Sequence, residues 1–71
     1  MTPNQEAPTT EFPRSIGKVA ARELAAAGYT RYQQLTKVTK KSLLAIHGVG
    51  PKAVRILDEE LKSRGLRFEG E

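Results

Sequence analysis

Seventy-one residues allow one domain, whose core stabilises a fold by only roughly 3–5 kcal/mol. The absence of cysteine excludes disulfides and thiolate metal sites, and a single histidine, His47, leaves any protein metal site mostly carboxylate. The formal charge of +4 is segregated: residues 14–67 hold all twelve Lys and Arg against Glu23, Asp58, Glu59 and Glu60, while both ends are acidic.

Residues 1–11 carry Pro3, Pro8 and three threonines, with no large apolar side chain after Met1. Such a composition buries too little surface to offset ordering entropy, so it predicts a disordered tail. It also lacks the basic and apolar regions of a signal peptide, and no apolar run approaches the ~20 residues of a membrane span. The expectation is a soluble, cytoplasmic protein without membrane contact. The domain is expected over residues 12–68, with 69–71 as a short C-terminal tail.

From Phe12 onward the sequence reads as helices with short punctuation. Ala20, Ala21, Leu24 and Ala27 form a small-residue stripe at three- and four-residue spacing. This predicts a helix from Ser15 or Gly17 to Ala27, ended by a left-handed Gly28. Thr30 and Gln33 fit a capping box for a short second helix with Tyr32 and Leu35 inward. Thr39 caps a third over residues 40–46, burying Leu43, Leu44 and Ile46. Pro51, whose missing N–H is harmless at a first helical position, opens a fourth that runs to Arg64 and is capped by Gly65. Leu66 and Phe68 then fold back over the core. No stretch alternates like a strand, so the expected class is all-α, a four- to five-helix domain.

The chemistry-bearing segment spans residues 43–57. Leu43 and Ile46 end one helix, Gly48, Val49 and Gly50 make a turn, and Pro51 opens the next helix. Gly48 can take the positive φ of a tight reversal, Val49 can point inward as a staple, and Gly50 lets another backbone come close. Ala53 is small enough for close helix packing. The arrangement leaves backbone N–H groups free at a helix N-terminus, a geometry suited to phosphate, with Lys52 in the first turn and Arg55 three residues on. The plainer reading is an ordinary tight turn with solvated cations, and for Arg55 an ion pair with Glu59.

This segment resembles the helix-hairpin-helix motif of DNA repair, recombination and replication proteins. A second copy lies 33 residues earlier: Gly17, Ala20, Arg22 and Leu24 align with Gly50, Ala53, Arg55 and Leu57, and Ser15 with Gly48. Together the copies resemble the tandem helix-hairpin-helix domain, whose scaffold is similar to the sterile-alpha-motif type. The chain also looks similar to small bacterial stand-alone domains of this kind. More distantly, it resembles the C-terminal domain of the RNA polymerase α subunit, where the turn glycine and following lysine, here Gly50 and Lys52, meet DNA. The basic first-helix position of that domain falls on Val19, which argues against a minor-groove contact of the same sort.

The resemblance implies double-stranded DNA as partner, bound with little sequence preference through phosphates at Gly48, Val49, Gly50, Lys52, Ala53 and Arg55. The earlier copy supplies Ser15, Gly17, Lys18 and Arg22, with Arg14 on the same face. Ser15 in place of glycine and Glu23 in place of Ile56 imply a weaker first turn. Lys40 and Lys41 fit either a binding rim or plain surface, and Asp58, Glu59 and Glu60 would solvate the far end of the last helix and turn DNA away from it. No nucleophile or carboxylate accompanies His47 in sequence, and no aromatic ladder is present for single strands. The expectation is therefore a non-enzyme without cofactor, metal or small-molecule substrate. A protein-interaction module on the same scaffold is the alternative.

Overall fold

A computed structural model of the chain describes residues 10–70, so the tail expected over 1–11 lies outside the described residues as far as residue 9. Phe12 and Pro13 lead into a single 3-10 turn, Arg14–Ile16, followed by α1 (Lys18–Ala26), α2 (Tyr32–Leu35), α3 (Lys40–Leu44) and α4 (Pro51–Ser63). Among the described residues there is no strand. The fold is all-α.

The ends of the two long helices are built alike. After α1, Gly28 takes φ +95°, and its N–H donates to the Ala25 carbonyl at 3.0 Å while Tyr29 N–H reaches the Leu24 carbonyl at 2.8 Å. After α4, Gly65 donates to Lys62 at 3.1 Å and Leu66 to Leu61 at 2.8 Å, around φ +74°. Both are Schellman caps, which satisfy carbonyls that the helix itself leaves unpaired. The glycines sit where the sequence places them, although α1 stops at Ala26 and α4 at Ser63. Ala27, expected on the inner stripe, is an exposed cap residue instead.

The short helices depart more from expectation. Thr39 caps α3 as predicted, its hydroxyl accepting from Ser42 N–H at 3.0 Å. The helix ends at Leu44, two residues early, and turns that side chain outward to 44% exposure. Leu44 is therefore not a core residue; Leu43 fills that role, and Ile46 packs at its edge. The α2 cap lies one residue later than the Thr30–Gln33 box. Gln34 Oε1 accepts from the N–H groups of Thr30 and Arg31 at 2.8 and 2.9 Å, and Arg31 has no acceptor with which to reciprocate. Glu11 caps the same helix from 21 residues away, its carboxylate accepting from Tyr32 N–H at 2.9 Å. Its own N–H donates to Thr30 at 2.9 Å, so Glu11, read as tail from the sequence, is tied to the domain.

The core is one cluster. Leu24, Leu35, Leu43, Leu57 and Leu61 are fully buried, and Phe68 folds back over them as expected. Each such side chain stabilises the fold by about 1.5–3 kcal/mol. Phe12 meets Tyr32 edge-on at 5.2 Å between ring centres, and Arg64 stacks over the same Tyr32 ring at 4.1 Å. Burial pushes the Tyr32 phenol up from its ordinary range. Asp58 corrects the reading of the acidic run: it is buried, and its carboxylate holds Lys62 at 3.0 Å and Lys40 at 3.6 Å. It fastens α3 to α4 rather than solvating a helix end.

The turns and long helices cross-pack. The 3-10 turn before α1 lies against α4. The turn before α4 lies against α1, with Gly48 facing Val19 and Glu23.

Candidate nucleic-acid interface

Residues 46–53 form the turn and helix start that the sequence singles out. Val49 N–H donates to the Ile46 carbonyl at 3.0 Å, closing the reversal, and its side chain is buried at 4% exposure. Val49 is therefore the inward staple and offers a ligand neither side chain nor N–H. Gly48 supplies the positive φ, +91°, and is exposed on its outer side. Gly50 is extended at φ −97° and ψ 176°, a conformation open to any residue and favoured before proline. A Cβ built on it meets no atom within 4 Å. The fold thus needs glycine at 48 and does not need it at 50.

The first internal bond of α4 runs from Val54 N–H to the Gly50 carbonyl at 3.1 Å. Among the described residues, the N–H groups of Gly48, Gly50, Lys52 and Ala53 have no acceptor, and no side chain caps the helix. Ala53 contributes only its N–H, because its methyl is buried. The first turn holds no acidic residue, and Lys52, whose charge opposes the helix dipole, stands exposed within it. An anion between the lysine and the free N–H groups would reverse that unfavourable interaction.

The cations sort by what they touch. Lys40 and Lys62 hold Asp58, and Arg64 holds Glu60 at 2.6 Å. That last bond raises the pKa of the Arg64 guanidinium above its already high ordinary value. Lys40, open to either a binding rim or plain surface from the sequence, is engaged by Asp58. Arg55 makes no pair with Glu59; among the described residues Lys18, Arg22, Lys52 and Arg55 are all exposed and free of carboxylates. Several other surface cations share that freedom, so position rather than freedom distinguishes Lys52. His47 is exposed, and among the described residues no group of three or more carboxylate or imidazole side chains could hold a metal ion.

The earlier turn is not a copy of the later one. Ser15 lies inside the right-handed 3-10 turn, and the positive φ, +95°, falls on Gly17 instead. A residue with a Cβ enters the left-handed region at a cost of about 1–2 kcal/mol, so the reversal moves to the next available glycine. The alignment of Gly17 with Gly50 and Ser15 with Gly48 therefore fails at the level of the backbone. Gly17 N–H donates to the Arg14 carbonyl at 2.9 Å and is not available to a ligand. What α1 retains is a start without acidic residues or a side-chain cap, with Lys18 exposed there and Arg22 one turn on.

Sequence reading missed Glu23 as a neighbour of the later turn, because only the cross-packing of turn on helix brings them together. Its offset partner, the apolar Ile56, was the available hint. Compared with protein-family models, curated proteins and solved structures, the chain finds no match.

Proposed function

We propose that the chain is a tandem helix-hairpin-helix domain that binds double-stranded DNA by its backbone, with no catalytic activity of its own. The observation that carries this reading is the run of N–H groups over Gly48, Gly50, Lys52 and Ala53, without acceptors among the described residues, beneath an exposed Lys52 that pairs with none of them. Open space at Gly50 adds to it, since a phosphate oxygen can approach where any other residue would carry a side chain. The structural difference between the turns favours the later one as the principal phosphate holder, with Lys18 and Arg22 as flanking charge. Such a surface lacks a helix bearing groups for base edges, so affinity should be near non-specific levels, roughly 10⁻⁴–10⁻⁶ M.

A titration of the chain with short duplex DNA, followed by amide chemical shifts, tests the assignment. The largest changes are expected from Gly48 to Ala53. Clustering on residues 58–61 or 30–37 would move the interface elsewhere. Salt dependence gives the phosphate count: about 3–5 contacts predict a slope of log K against log salt of roughly −3 to −4.5. Lys52→Ala should weaken all duplexes alike and reduce that slope by about one, and Lys18→Ala should do so only if the earlier turn touches DNA.

A second reading, a protein-interaction module, draws on Val19 and Leu44, which are 53% and 44% exposed. Single exposed aliphatics are ordinary on protein surfaces, so they carry less weight than the turn. Self-association of the chain in solution, with no DNA binding, would favour this reading.

A further inference from the structure

We infer that Glu23 tunes the turn before α4, its carboxylate loosening the hold of that turn on polyanions; this rests on the DNA-binding reading. Glu23 is the only acidic residue between Glu11 and Asp58, a stretch otherwise rich in Lys and Arg. The fold places this one acid beside the candidate site. A Cβ built on Gly48 would stand 3.0 Å from Glu23 Cγ and 3.9 Å from its Cβ. Adding one C–C bond of about 1.5 Å at each end keeps the carboxyl carbon within about 6 Å of Gly48 Cα. Among the described residues no cation pairs with it. Its charge therefore acts on whatever approaches the turn.

The packing and the charge of Glu23 are separable. Its methylenes touch the turn, and glutamine or methionine presents the same methylenes without the negative charge. A carboxylate about 8 Å from a phosphate, in surroundings of effective dielectric about 40–80, weakens binding roughly two- to six-fold. The effect fades with salt, since the screening length falls from about 30 Å at 0.01 M to about 8 Å at 0.15 M.

The test is an anisotropy titration of a short labelled duplex with the full chain, Glu23→Gln, Glu23→Met and Glu69→Gln, each checked by thermal melting. Glu69 is the control, because it is exposed and its backbone is bonded to Val38 rather than to the turn. Both Glu23 variants should bind about two- to six-fold more tightly at low salt, with the gain shrinking by 0.15 M, and Glu69→Gln should gain distinctly less. Equal gains at both positions would reduce Glu23 to a share of the net charge and overturn the inference. Tightening by the glutamine variant alone would also overturn it, because an amide–phosphate bond would then explain the gain. Duplex binding by the original chain with no change at Glu23 defeats this inference only. No binding by any of the four proteins defeats the DNA reading with it.

Discussion

Gly48→Ala is expected to cost about 2–5 kcal/mol, most of the stability a domain of this size possesses. Two effects combine. At φ +91° any residue with a Cβ is strained, by about 1–2 kcal/mol. The added methyl also meets Val19 Cγ1 at 2.8 Å, closer than such atoms tolerate, and presses tightly on Glu23 Cγ at 3.0 Å. Val19 is β-branched and sits in a helix, where one χ1 rotamer dominates, so it does not swing aside freely. Overpacking of this kind adds roughly 1–3 kcal/mol. Gly28→Ala isolates the first effect, because Gly28 shares the positive φ but faces open space. Thermal unfolding of the two variants should therefore show the larger loss at 48. Trimming the neighbour provides a second check: in a Val19→Ala background, Gly48→Ala should cost less, a coupling that independent sites would not show. Equal losses at Gly28 and Gly48 would mean that the turn does not press on α1.

The particular residues show which parts of this molecule local sequence can specify. Gly28, Gly65, Thr39 and Pro51 act through bonds a few residues long, and each sits where its chemistry suggests. The inward positions of Leu24, Leu35, Leu43, Leu57 and Leu61 follow from helical spacing in the same way. What escaped depends on partners distant in sequence. Glu11 reads as tail because its role is to accept from Tyr32, and Asp58 reads as solvated because Lys40 lies on another helix. Leu44 differs because it directly follows Leu43, and the step of about 100° around the helix takes it off the buried face. In the later turn, the positive φ of Gly48, the inward Val49 and the helix start at Pro51 were legible from the sequence. The earlier one was not: a repeat in residue types at a fixed offset does not guarantee a repeat in φ and ψ when serine stands where glycine is needed.

Gly50→Val should abolish duplex binding, a loss of more than about ten-fold, while leaving helical content and stability intact. The backbone at Gly50 is already extended, as β-branched residues and a following proline both prefer. A Cβ there meets nothing within 4 Å, so the new side chain displaces no neighbour. Replacing a glycine also restricts the unfolded chain, which keeps stability level or raises it by about 0.4–1 kcal/mol. On the outer side, however, the isopropyl group occupies the space through which a phosphate oxygen would reach the N–H groups of Gly50, Lys52 and Ala53. Gly50→Ala, with a single methyl, should fall between the variant and the original chain. Circular dichroism and an anisotropy titration on the same sample separate folding from binding. Loss of helix together with binding would show that Gly50 serves the fold after all. Unchanged binding by a folded Gly50→Val chain would remove the turn from the interface, and with it the main support for backbone recognition of DNA.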